Sequence, residues 1–278
     1  MLKGLTKAGL GAVGSEERLV ALAADYGFDA VDLEAAPWIE RFGLGPAREL
    51  LHERNIQLGS IALPVEWRAS EEQFRSSLLQ LASAAEAASA LGCTSCCTYI
   101  LPSTDYDSAP FMAVATRRIR QCASILGAYG IRLGLEFVGP HHLRTRWRNP
   151  FIWTMRHTLD WIDAIGEPNV GLLLDVYHWY TNESTSLELL TLRADQIVHV
   201  HINDAPAVPI AQVKDNERLY PGEGVIDLAA FMKTLQKIGY SGVVSQEILT
   251  PAPPTESAEQ LAARSQTAFN RIWSEAGL

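Results

Sequence analysis

Three carboxylates and an imidazole stand at the ends of four separate apolar runs: Glu136 in GLEFVGP, Asp175 in VGLLLDVYHWY, His201 in IVHVHINDAP and Glu247 in GVVSQEIL. Such a donor set, oxygen-rich with one nitrogen, suits a divalent ion of intermediate hardness. Manganese is the first expectation. Magnesium accepts the oxygens but seldom a histidine, catalytic zinc usually takes more nitrogen or sulfur, and cobalt is a further alternative.

Other residues could touch a substrate. His178, three residues after Asp175, can share one patch of a turn with it, as a substrate contact, a metal ligand or a structural hydrogen bond. Glu34 ends the run FDAVDLE, where it would contact substrate or cap a loop. Among Trp38, Trp67, Tyr99, Tyr177 and Trp179, one or two are expected to stack on the apolar face of a sugar, the others to pack. His199, one layer below His201, reads as a core histidine. Cys93, Cys96 and Cys97 lack the second pair a zinc site needs and read as small buried apolar residues in a reduced compartment.

These groups need strands to deliver them. Ser15 caps a helix that stops at Gly27, and a strand follows over Phe28–Glu34. The alternation continues with helix 46–54, strand 56–63, helix 70–91, strand 93–101, helix 110–129, strand 131–137, helix 151–165 and strand 170–175. Helix 187–194, strand 197–202, a helix capped by Asp227, strand 242–248 and a closing helix 255–273 complete it. With an opening strand at 2–6 this makes eight units of roughly 35 residues each, the periodicity of a (β/α)8 TIM barrel in the α/β class. A single domain spanning residues 1–278 is expected, with a doubly wound open sheet as the competing fold. Strand parity places 136, 175, 201 and 247 on one face at the carboxyl ends. The loops 139–149 and 203–224 would roof that face, and their basic residues, His141, His142, Arg144, Arg146, Arg148, Lys214 and Arg218, suit an oxygen-rich or anionic substrate.

Composition narrows the partners. With 278 residues and 47% hydrophobic content the chain can bury a large core, and a net charge of −9 disfavours nucleic acid. No stretch approaches a membrane span or a signal sequence, so a cytoplasmic protein is expected, with no membrane partner. Exposed loop aromatics would be compatible with a homo-oligomer.

The order GLEF, LLLDVYHWY, HVHINDAP, RLYPGEGVID and SQEIL closely resembles the sugar phosphate isomerase/epimerase family of xylose-isomerase-like barrels, which includes ketose 3-epimerases and inosose dehydratases. The resemblance is strongest from Gly134 to Leu249. It implies one divalent metal on Glu136, Asp175, His201 and Glu247, proton exchange by Glu136 and Glu247 from opposite sides, and substrate oxygens held by His178 and Arg218. The same superfamily holds apurinic-site endonucleases with three zinc ions. Here strands three and four end in IALP and TYILP without histidine, and Asn216-Glu217-Arg218 stands where those enzymes carry Asp-x-His, so the extra ligands are missing.

The function expected is a metal-dependent isomerase or epimerase of a sugar, cyclitol or similar keto compound, with a metal stabilising the enediolate while two glutamates move the proton. The alternatives are a lyase or dehydratase using the same site on an inosose or keto-glycoside, a non-catalytic sugar-binding protein, and abasic-site cleavage. The absence of a glycine-rich phosphate loop, PGEG being too short a signal, favours a substrate without phosphate.

Overall fold

The computed structural model describes residues 1–278. Eight parallel strands form the wall: β1 Leu2–Leu5, β2 Ala30–Val31, β3 in two pieces (Gln57–Leu58 and Ile61–Ala62), β4 Ser95–Ile100, β5 Arg132–Phe137, β6 Val170–Asp175, β7 Ile197–Ile202 and β8 Val243–Gln246. The ladder runs from the first piece of β3 through β2, β1, β8, β7, β6, β5 and β4 to the second piece of β3. Both ends of the ladder therefore belong to one interrupted strand, which closes the barrel. The open-sheet alternative is thereby excluded.

Local chemistry explains the helices around the wall. Ser15, Ser70, Thr154, Asp227 and Ser257 each accept a backbone N–H in the first turn of the helix they precede, satisfying donors that would otherwise be orphaned. Apolar faces of these helices pack on the outer surface of the strands in one continuous core, with Phe28 edge-on to Phe269 at 5.0 Å.

The structure corrects several boundaries. β2 covers only two residues of the expected 28–34, because an unforeseen helix, Ala35–Phe42, begins immediately after Glu34. The helix expected from Phe151 starts at Met155, since Asn149–Pro150 pairs with Ser103–Thr104 in a small antiparallel ribbon. The turn expected after Asp175 is a helix, Val176–Thr181, with Asp175 as its N-cap. No helix is long and apolar enough to cross a membrane. All four cysteines are free and buried, and burial pushes the Cys93 and Cys122 thiols up to about 12.

Candidate metal centre

β5, β6, β7 and β8 bring Glu136, Asp175, His201 and Glu247 to one point at the carboxyl end of the barrel. In register, His201 stands opposite Asp175 on one side and Ser245 on the other. One donor atom from each of the four lies within 4.8 Å of every other. His201 Nδ1 is 3.6 Å from Glu136 Oε1, 3.5 Å from Glu247 Oε2 and 3.9 Å from Asp175 Oδ2. Donors about 2.1 Å from a shared ion stand about 3–4.2 Å apart, so these separations fit one. The donor set also has unmet need, because Glu136 Oε1 and His201 Nδ1 are buried without a hydrogen-bond partner. Buried polar atoms are normally satisfied, and a cation would satisfy both.

Arg218 supplies the balancing charge. Its Nη1 donates to Asp175 Oδ2 and to Glu247 Oε2, both at 2.7 Å, while Nη2 donates to Asp215 Oδ1 at 2.9 Å and Nε to the Asp215 carbonyl at 3.0 Å. Asp175 Oδ1 accepts the Tyr177 N–H at 2.7 Å and the Asn203 amide at 3.1 Å, which fixes that carboxylate completely. The two glutamates are left in unlike surroundings. Burial raises the Glu136 carboxyl, and the nearby negative charge of Glu247 adds to the rise against a contact with His201. Burial would raise Glu247 as well, but His201 and Arg218 outweigh it and hold that carboxyl well below its ordinary value.

His178 faces the cluster from the helix after β6. Its Nδ1 accepts the Gly139 N–H at 3.2 Å, and its Nε2 lies 3.4 Å from Arg218 Nη2, 3.9 Å from Glu136 Oε1 and 4.0 Å from Asp215 Oδ1. Beside the cluster opens a cavity of about 340 Å³, whose lining includes Lys7, Glu16, Asp32, Glu34, Tyr99 and His201. Glu34 reaches it from the start of the Ala35–Phe42 helix, its Oε1 accepting the Ala62 N–H at 3.3 Å, and burial raises its carboxyl.

Three residues expected to touch substrate, Trp179, His178 and Arg218, do not line this cavity. Trp179 does not reach the cavity: one position after His178 on a helix it turns outward, and its ring packs on Phe231 at 5.5 Å within the core. Of the five strand-end aromatics, Tyr99 alone lines the cavity. The basic loop residues do not line it either. Arg144 ties its loop to Gly139 and Thr181, and Lys214 pairs with Glu217 at 3.0 Å. Lys7 is the cation at the mouth, and it is bound to Glu16 at 2.7 Å.

Sequence reasoning missed Lys7, Glu16, Asp32 and Asp215. Asp32 had a signal, since it stands two residues before Glu34 on the same strand face. Lys7 and Glu16 had none, because only the closure of the barrel brings the first loop over the site. The PGEG segment has its own explanation: Asp204 accepts the N–H groups of Gly222, Gly224, Ala205 and Ile226, at 2.8–2.9 Å. Its backbone donors are taken by the chain's own carboxylate, and a Cβ on Gly224 would collide with the Ala205 carbonyl.

A parallel eight-stranded barrel with three carboxylates and one imidazole converging at its carboxyl mouth carries a candidate cation site on the face where barrels of this architecture place their active sites. The chain belongs to the xylose isomerase-like TIM barrel family, whose model matches residues 20–268. It is 32% identical over 142 residues to an inosose isomerase of Bacillus velezensis, a match covering 51% of this chain and 48% of the relative. A ketose 3-epimerase of Arthrobacter globiformis is 31% identical over 130 residues, covering 47% and 38% respectively. The chain thus spans about half the length, or less, of the curated relatives it matches. Over the whole of both chains it superposes on a xylose isomerase domain protein from Alicyclobacillus acidocaldarius with a TM-score of 0.91 and 33% identity.

Proposed function

We propose that the protein is a divalent-metal-dependent isomerase or epimerase of a neutral, multiply hydroxylated keto compound, a sugar or a cyclitol. The reading rests on the convergence of Glu136, Asp175, His201 and Glu247, two of whose donor atoms are buried and unpartnered. The kinship with an inosose isomerase and a ketose 3-epimerase supports the substrate class. The cavity supports a neutral substrate, because its lining carries Glu16, Asp32, Glu34, Glu136 and Glu247 against Lys7 and His201.

These four residues would hold the ion, manganese by preference, and bound there it would polarise a carbonyl and stabilise negative charge developing on its oxygen. Glu247, kept ionised by the Arg218 guanidinium 2.7 Å away, is placed to take the proton from the adjacent carbon. Glu136, the other glutamate of the cluster, is placed to return a proton from the β5 side. Arg218 acts chiefly by fixing Asp175 and Glu247, with His178 standing behind it, Nε2 at 3.4 Å from Arg218 Nη2.

The test is activity of chelated protein on a panel of ketoses and inososes in deuterated water. Loss of turnover on chelation, recovery with manganese and an isomeric product whose mass differs from that of the substrate only by exchanged deuterium are expected. Full activity after demetallation would contradict the proposal, and loss of water from the product would replace it with the elimination chemistry weighed above.

A further inference from the structure

We propose that Asp32 is a positioning residue for His201, fixing the far side of its ring so that Nδ1 faces the three carboxylates, and that His199 in turn anchors Asp32. This inference rests on the metal reading given above. It starts from the tautomer: a histidine that offers Nδ1 to a cation must carry its proton on Nε2, and ligand histidines usually direct that N–H at a carboxylate or carbonyl. His201 Nε2 faces Asp32 Oδ2 at 3.9 Å, a charge contact longer than a hydrogen bond, and no other carboxylate approaches that side of the ring within 4 Å. The same Asp32 oxygen lies 2.9 Å from His199 Nε2. Asp32 therefore stands between two imidazoles that are themselves edge to face, 5.4 Å apart.

The position is costly. A barrel interior is normally filled by layers of branched apolar side chains, and a carboxylate placed there loses hydration. Asp32 Oδ1 is buried, with the Ser245 side chain as the polar group on that side. Room for the carboxylate depends on Gly59, since a Cβ there would sit 2.5 Å from Asp32 Oδ1. The contact with His199 partners one oxygen of the acid but leaves its approach to His201 to be explained. Orientation of a metal-binding imidazole does.

The experiment compares wild type, Asp32→Asn and Gly59→Ala, each checked by circular dichroism without metal, for Mn2+ affinity by calorimetry and for the visible spectrum of the Co2+ form. The expected result is a 10- to 100-fold weaker Mn2+ affinity in Asp32→Asn, a size typical of lost outer partners, with one ion still bound and an altered Co2+ spectrum. Gly59→Ala, which removes no polar group, shifts both readouts the same way by displacing the carboxylate, and it decides the matter if Asp32→Asn does not fold. Wild-type affinity and spectrum in both variants would overturn the inference while leaving the metal reading intact. A second equivalent of metal, lost in Asp32→Asn, would also overturn it by making Asp32 and His199 ligands themselves. Absence of metal binding by the wild type would overturn both.

Discussion

Arg218 Nη1 lies 2.7 Å from Glu247 Oε2, and no such contact reaches Glu136, whose Oε1 is buried and unpaired. The same nitrogen reaches Asp175 Oδ2, so one guanidinium steadies two of the three cation-facing carboxylates. Removing one partner of a buried ion pair costs about 3–5 kcal/mol, because the remaining charge is stranded. Arg218→Met is expected to destabilise the metal-free protein by about that amount, and the Mn2+-loaded protein by distinctly less, since the ion neutralises the same carboxylates. Thermal melts of both forms check this; equal losses would contradict it.

The unlike surroundings of the glutamates predict unlike consequences of blunting them. Glu247→Gln removes the base, and a fall in kcat of about 100- to 10,000-fold is expected, the usual worth of positioned proton transfer, while Mn2+ is still bound. Solvent deuterium should no longer enter recovered substrate. In Glu136→Gln turnover falls too, but proton removal by Glu247 survives, so exchange into substrate persists. Persistent exchange in Glu247→Gln would reverse the assignment.

Proton release should accompany metal binding. Burial pushes the His201 imidazole down, but Glu247 and Glu136 override it and hold its pKa well above the ordinary value. In the metal-free protein this raised pKa contributes stability that is fully present below about pH 6.5 and is lost as pH rises through the folded value. A cation at Nδ1 displaces that proton, so affinity rises with pH, and about one proton leaves per ion near neutrality. Calorimetry in buffers of different ionisation enthalpy measures the release. An affinity indifferent to pH between about 6.5 and 8 would contradict it.

Trp179 and Tyr99 separate packing from substrate contact. Trp179→Ala is expected to cost about 3–5 kcal/mol of stability by emptying its place against Phe231, with KM unchanged in the folded fraction. Tyr99, 45% exposed in the cavity wall, should behave oppositely: Tyr99→Ala raises KM several-fold and leaves the melting temperature near that of the wild type.

The sequence was most legible where local patterns had a physical cause. Val170–Asp175 and Ile197–Ile202 were delimited correctly because apolar runs buried on both faces end abruptly at a polar group. Parity along those strands put four ligand candidates on one face, and the barrel brings them together. Legibility failed where tertiary closure decides. The helix after Asp175 turns His178 inward and Trp179 outward, a separation that a turn would not have made. The Arg144 loop looked like an anion-binding roof by charge, yet its guanidinium is consumed by the carbonyls of Gly139 and Thr181. Asp32 shares the strand face of Glu34, but the partners that give it a role, His199 and His201, lie far along the chain.

The most direct measurement is an anomalous difference map from crystals of the protein grown with Mn2+. The account predicts a single strong peak contacted by Glu136, Asp175, His201 and Glu247 together. A map without that peak, or with manganese seated elsewhere while those four side chains keep the positions described here, would contradict it.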